Sequence, residues 1–253
     1  MKYYSDFAQK KILSFSDVET IVGNSNTAAR IVSDYEDKGL LQKIKKNLYA
    51  VVSLENGGLV PDEFEIGCAL KPDAFISHHS AFRFHGFYNQ VYSTIDVSSP
   101  TRFDTLLFGG KEYRHHHSSW LGEIETVGNG KRVSTVERTI VDSIKDLRKT
   151  MDLEELLRCV EMVPRIKDKA LIDCMTAYKN RLLWKKVGYF LQNCRLRYEL
   201  PVSFFEYCRK NGGNVVGYFS SEDSSSQQYD KEWKMYVPLL KNDEYEVPVD
   251  VSL

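Results

Sequence analysis

Few side chains in this sequence combine the type and the spacing that catalysis needs. His115-His116-His117 offers three metal-binding groups in a row. Consecutive strand residues point to opposite faces, so the three cannot converge on one ion, and a solvated strand end is expected. His78 and His85 can share a helix face, but a zinc hydrolase needs a third ligand and a general base, and no H-E-x-x-H is present. Packing or helix-capping roles are expected for both. Nucleotidyl transfer would need paired carboxylates holding Mg²⁺ after a Gly-Ser turn. Gly217-Tyr218-Phe219-Ser220-Ser221-Glu222-Asp223 imitates this loosely and lacks an Asp-x-Asp pair. No P-loop or dinucleotide fingerprint occurs. The cysteines, Cys68, Cys159, Cys174, Cys194 and Cys208, include no C-x-x-C pair, so reduced, buried thiols are expected instead of zinc ligands or disulfides. No catalytic residue, metal or cofactor is assigned, and the expectation is a protein that is not an enzyme.

Nucleic-acid recognition is the chemistry that the residues suit better. Asn and Arg carry donor and acceptor pairs that match adenine and guanine edges, and lysines neutralise phosphates. Asn26, Thr27 and Arg30 fall at the start of one predicted helix, and Lys43, Lys45, Lys46 and Asn47 fall in the hairpin after it. Several elements must position them. Ser16-Asp17-Val18-Glu19 has the form of a capping box that starts a short helix running to about Val22. Gly23 stops that helix, because glycine takes the left-handed conformation without steric cost. Asn24 or Ser25 caps the next helix, which runs to about Lys38 with Ala28, Val32 and Tyr35 on one side. A preceding helix from about Asp6 to Leu13 completes three helices. Leu40–Ile44 and Leu48–Val52 then form a β-hairpin around Lys45-Lys46-Asn47. Three helices and a basic hairpin make a winged helix, with Asn26, Thr27 and Arg30 towards base edges and Lys43, Lys45 and Lys46 towards phosphates. A winged helix that serves only protein interaction remains the competing reading.

Further along, helices are expected from about Pro61 to Lys71 and from Ile76 to Gly86. Strands are expected at Ser93–Ser98, Thr105–Phe108 and Tyr113–His117, with a hairpin around Asn129-Gly130 joining Ile124–Val127 to Val133. Ser134-Thr135-Val136-Glu137 reads as a second capping box, before a helix whose stripe is Val136, Ile140, Val141, Ile144 and Leu147. Helices follow at about Leu153–Met162, Asp168–Cys194 with a break near Gly188, and Val202–Lys210. Ser220–Gln228 reads as a mobile loop between strand-like runs at Val215–Phe219 and Met235–Leu239. The fold class is α+β, with domains at about 1–53 and 60–253.

The 253 residues carry 34 Lys and Arg against 35 Asp and Glu, a balance that by itself points to no nucleic-acid partner. By segment it does not stay level: residues 1–50 carry +2, 51–164 carry −5, 165–213 carry +7 and 214–253 carry −5. In the +7 segment Lys179, Arg181, Lys185, Lys186, Arg195 and Arg197 flank Trp184, Tyr189 and Tyr198. This second basic surface suits nucleic acid, an acidic partner or the chain's own acidic tail, and composition does not separate these from plain solvated helix. No run approaches a membrane span and no secretory leader opens the sequence, so a cytoplasmic protein without a membrane partner is expected.

Gly39-Leu40-Leu41 with Lys43-Ile44-Lys45-Lys46-Asn47-Leu48-Tyr49, then Ile76-Ser77-His78-His79-Ser80-Ala81 through His85-Gly86-Phe87, resemble the bacterial AbiE-type abortive-infection antitoxins. Thr135-Val136-Glu137-Arg138-Thr139-Ile140-Val141-Asp142 and Lys186-Val187-Gly188-Tyr189-Phe190-Leu191 continue the resemblance in the same order, over about residues 5–195. It implies an antitoxin of a type IV toxin-antitoxin system that represses its own operon through the N-terminal winged helix. The larger domain would counteract a nucleotidyltransferase-like toxin, without a stable complex being required. The implied partners are operator DNA upstream of its own operon, with inverted repeats that call for self-association on DNA, and the cognate toxin. The sequence departs from the family's usual Arg-Gly or Lys-Gly hairpin turn at Asn47, a residue that also tolerates the left-handed conformation. A plain transcriptional regulator is the alternative.

Overall fold

The first helix, α1 (Tyr4–Lys10), stops short of Leu13 because Lys11 turns left-handed at φ 63°. Ile12–Ser14 is instead a strand, β1, antiparallel to Leu48–Ala50. The computed structural model describes residues 2–128, 130–220 and 227–238. Next comes α2 (Phe15–Val22), whose capping box is Ser14 with Asp17 and not Ser16 with Glu19. Ser14 Oγ accepts from the Asp17 N–H at 3.1 Å, and Asp17 Oδ2 accepts from the Ser14 N–H at 2.8 Å. Apolar flanks decide between the two boxes. Leu13 just before the cap and Val18 just after the box are buried in one cluster, the arrangement that fixes chain entry into a helix, whereas a cap at Ser16 would put Thr20 in Val18's place.

Gly23 at φ 81° turns the chain into α3 (Ser25–Asp37), where Asn24 Oδ1 accepts from the Thr27 N–H at 3.0 Å. Ala28, Val32 and Tyr35 are the buried side of α3. β2 (Leu41–Lys45) and β3 (Leu48–Val51) form an antiparallel pair with a bulge between Lys43 and Lys45, in a sheet of order β1-β3-β2. Asn47 makes the turn at φ 60°, the conformation that an asparagine side chain tolerates. β3 is buried throughout, and its side chains alternate between two cores. Tyr49 and Val51 pack with Phe7, Val18 and Val32, while Leu48 and Ala50, with Ile44 from β2, pack into a cluster containing Ile66, Leu70 and Ile76. The first fifty residues thus share a core with residues 66–133, across the boundary expected at 53–60.

A six-stranded mixed sheet forms the centre. Its elements in chain order are α4 (Glu63–Ala69), β4 (Phe75–Ile76), α5 (His78–His85), β5 (Thr94–Ser99), β6 (Leu106–Phe108), β7 (Lys111–His117), β8 (Ile124–Val127), β9 (Lys131–Ser134) and α6 (Val136–Lys145). The strand order is β6-β7-β5-β4-β9-β8, with β5/β7 and β4/β9 parallel and the other pairs antiparallel. Asn129, in the expected β8–β9 turn, lies outside the described residues. Ile76, Ile95, Val97, Tyr113 and Val133 cover one face under α4. The approach is close at Gly67, where a Cβ would sit 2.8 Å from Ile76 Cδ1. α6 starts at Thr135, whose side chain accepts from the Arg138 N–H, rather than at a Ser134 box. Ser134 belongs to β9 and bonds Thr139 Oγ1 at 2.7 Å, and the Glu137 carboxylate accepts from the Lys167 N–H at 2.8 Å.

The C-terminal part is helical: α7 (Leu153–Met162), α8 (Asp168–Tyr178), α9 (Arg181–Gln192) and α10 (Val202–Gly212), closed by the hairpin β10 (Gln227–Asp230) and β11 (Met235–Pro238). The long helix breaks at Lys179 (φ 51°), with Asn180 capping α9, and runs through Gly188 unbroken. Gly188 answers a packing need instead, since a Cβ there would lie 2.1 Å from the Trp233 ring. Trp233, Met235 and Val237 join Phe190, Phe204 and Phe219 in the largest core cluster. Val215–Phe219, expected as a strand, makes only a bridge from Tyr218 to Tyr236. Of the expected loop at Ser220–Gln228, Gln227 and Gln228 belong to β10, and residues 221–226 lie outside the described residues, as does Leu239 at the end of the last expected strand. The class is mixed α+β, and among the described residues no helix is long and apolar enough to cross a membrane.

Candidate nucleic-acid interface

Burial of Ala28, Val32 and Tyr35 fixes the rotation of α3, so Asn26, Thr27 and Arg30 face solvent together on its first turns. They stand at the positive end of the helix, where unpaired backbone N–H groups also favour an anion. Neither Asn26 nor Arg30 side chain is engaged with another side chain among the described residues, so both are available to an outside partner.

The cations around this helix divide into bound and unbound. Lys10 pairs with Asp17, Lys11 with Glu65 at 2.7 Å, and Lys38 with Asp34 at 2.7 Å, while Lys2 lies over the Tyr3 ring. Lys45 departs from the expected phosphate role, because its ammonium donates to the Leu70 carbonyl at the C-terminal end of α4. The bulge between Lys43 and Lys45 turns the strand there, and the negative end of the α4 dipole holds the charge. Burial, then the neighbouring Lys71, push the Lys45 pKa below the usual lysine value. Lys43, Lys46 and Asn47 at the hairpin tip are exposed. Arg30, Lys43 and Lys46 are therefore the cations of residues 1–50 left without a partner among the described residues.

The second basic surface is not assembled as expected. Trp184 and Tyr189 are core residues, because α9 is covered by α10 and the C-terminal hairpin. Lys185 is 2% exposed and donates to the Val215 carbonyl. Lys186 is half-buried, with its pKa lowered by burial against the opposing pull of Asp146. Lys179, Arg181, Arg195 and Arg197 remain exposed. Tyr198 is an exposed aromatic, but the Arg165 guanidinium already lies 5.3 Å over its ring.

The histidines are structural, and they build more than a solvated strand end. His117 is exposed, but His115 Nε2 lies 3.1 Å from the Ser99 carbonyl and His116 Nε2 lies 2.8 Å from Asp96 Oδ1 inside the protein. Burial, then His78 with its ring 4.3 Å away, push the His116 pKa down. His78 Nδ1 meets Ser77 Oγ at 2.9 Å and its Nε2 faces Asp146 at 3.4 Å, whereas His85 Nε2 meets the Ser134 carbonyl at 2.8 Å. The pair seven residues apart thus serves two separate contacts.

His79, Glu155 and Cys159 come together as a buried group with metal-ligating atoms. The geometry is that of a latch. Glu155 Oε1 takes His79 Nε2 at 3.1 Å, the N–H groups of Asn89 and Gln90 at 3.1 and 2.9 Å, and the Cys159 thiol at 3.5 Å. Burial works against ionisation of Glu155, but the Gln90 and Asn89 N–H groups hold its pKa below the usual carboxylate value, and burial with Glu155 pushes the Cys159 thiol up.

Sequence reasoning also missed Arg138, which is fully buried. Its guanidinium donates to Asp142 at 3.3 Å, to Ser118 Oγ and the Trp120 carbonyl at 2.9 Å each, and to the Gly122 carbonyl, so it anchors the segment between β7 and β8. The four-residue spacing of Arg138 and Asp142 on one helix was the available signal.

No protein-family model matches the chain, and no curated protein matches it. Among solved structures it is similar to the crystal structure of the RV2827C protein from Mycobacterium tuberculosis, with a TM-score of 0.68 at 12% identity. The match covers 92% of this chain and 89% of that one, so the likeness is one of fold along nearly the whole length.

Proposed function

We propose that the first fifty residues are a winged helix that binds DNA in a sequence-specific manner, with α3 in the major groove and the β2–β3 hairpin as the wing. The observation that carries this is the exposed, uncommitted face of Asn26, Thr27 and Arg30 on the second helix of an α2–Gly23–α3 turn. The sheet order β1-β3-β2 behind that turn supports it. Asn26 and Arg30 read base edges, and Lys43 and Lys46 contact phosphates across the groove. Lys45 serves the seam to α4 instead. Two copies would bind an inverted repeat upstream of the chain's own operon.

The antitoxin role rests on the resemblance to the AbiE-type family. On that reading the sheet and C-terminal helices counteract a nucleotidyltransferase-like toxin in the bacterial cytoplasm, and the winged helix represses the operon. Two experiments separate the halves. Gel-shift binding to the DNA immediately upstream of the gene should be salt-sensitive for the wild type and lost in Arg30→Ala; absence of any shift leaves a protein-interaction module. Co-expression with the product of the adjacent reading frame should restore growth if that product is the toxin. Failure of rescue alongside a positive gel shift leaves a plain regulator.

A further inference from the structure

Between α9, α10 and the β10–β11 turn lies a cleft of about 260 Å³, lined by Lys185, Arg209, Lys210, Asn214, Glu232 and Lys234 beside Trp233. Four of these are cations and one is a carboxylate. Glu232 is committed to Arg209 at 2.6 Å, where it is half exposed on the rim. Lys234 donates to Asn214 Oδ1, a neutral acceptor, at 3.0 Å. Lys210 is exposed and has no ion-pair partner among the described residues.

Lys185 makes the arrangement unusual. An ammonium has three protons to donate. Its acceptor in the structure is the neutral Val215 carbonyl. No carboxylate pairs with it among the described residues, and burial, then the like charge of Lys234, lower its pKa. The side chain cannot swing away freely, because it packs over Gly212, where a Cβ would lie 2.5 Å from Lys185 Cγ. A buried cation facing other cations is electrostatically costly, and an anion in the cleft would relieve that cost.

We propose that this cleft binds a phosphate dianion, either free phosphate or the phosphate group of a small phosphomonoester. Phosphate oxygens accept charge-assisted hydrogen bonds from several directions, which suits the separate ammonium groups of Lys185, Lys210 and Lys234. A dianion also answers the excess of four cations over one carboxylate better than a single carboxylate does. The site does not depend on the DNA-binding reading, since none of its residues lies on α3 or the wing.

The test is thermal unfolding of the full chain, titrated with sodium phosphate and, separately, with adenosine 5′-monophosphate, against sodium chloride at matched ionic strength. The expected result is a saturable rise in Tm with phosphate or the monophosphate and none with chloride, because a ligand that binds only the folded state stabilises it by mass action. Saturation at lower concentration by one of the two identifies the source. Lys210→Ala/Lys234→Ala, both changes on the cleft's rim, should abolish the saturable rise. Lys185→Met should lose it too, with a Tm in chloride no lower than wild type. An equal rise in chloride would overturn the proposal. So would an unsaturated rise of the same slope in wild type and the double variant, which is the general effect of an excluded salt.

Discussion

Raising the salt concentration should weaken DNA binding by an amount set by the cations left unpaired. Of the basic residues in 1–50, Lys10, Lys11 and Lys38 are spent on carboxylates, Lys45 on the Leu70 carbonyl and Lys2 lies over the Tyr3 ring, which leaves Lys43 and Lys46 for phosphates beside Arg30, proposed to read a base edge. Each phosphate neutralised contributes a slope of about −0.9 to log K against log salt, so Lys43 and Lys46 give about −1.8 per protomer and about −3.6 for two on an inverted repeat. Between 50 and 200 mM salt that is a loss of about 12-fold for one copy and roughly 150-fold for two. Fluorescence anisotropy with labelled upstream DNA at four salt concentrations measures the slope. Lys46→Ala should reduce it by about 0.9 per protomer, and Lys45→Ala should leave it unchanged. A Lys45→Ala variant that lowers the slope as much as Lys46→Ala, or a slope to which neither Lys43 nor Lys46 contributes, would rule out this division of the lysines.

Three further outcomes concern the core. Gly188→Ala forces a methyl into the Trp233 ring, and overpacking of this kind should lower stability by about 1–3 kcal/mol in urea melts, with the loss read as a lower denaturant midpoint. Arg138→Ala removes the counter-charge of the buried Asp142, which keeps the Tyr178 hydroxyl as its donor, and unpairs the Trp120 and Gly122 carbonyls, costing about 3–5 kcal/mol in the same assay. His116 has its folded pKa depressed by burial and by His78. The neutral form is therefore favoured in the native state. Its contribution is fully present above the unfolded value of about 6.5 and is lost as pH falls towards the folded value. Urea titrations between pH 5 and 8 should show stability declining below about pH 6.5, with a shallower decline in His116→Gln.

Local rules make much of the fold legible in the sequence. Gly23, Asn24 and the spacing of Ala28, Val32 and Tyr35 place α3 and its exposed face, and α7 runs over the expected Leu153–Met162. The choice between capping boxes was also open to a local rule, since the apolar Leu13 and Val18 select the Ser14 box over the Ser16 box. Other features are set by tertiary contacts that no window of sequence contains. Lys45 and Lys46 are adjacent lysines on one hairpin, and only the position of α4 decides that one is tethered and the other exposed. Lys185 sits among apolar residues on a helix that reads as a basic face until α10 and the Trp233 hairpin cover it. Gly188 reads as a helix breaker in sequence and is a packing notch in three dimensions, because the indole that fills it is distant in the chain.

If α3 reads bases, the affinities for the upstream DNA and for a scrambled duplex, measured at one salt concentration, must differ. Wild type should prefer the upstream DNA, and Arg30→Ala should lose about 1–3 kcal/mol of that preference, roughly 5- to 150-fold, while Lys46→Ala weakens both duplexes alike. Equal affinity of the wild type for the two duplexes, or an Arg30→Ala variant that keeps the full ratio, would contradict it.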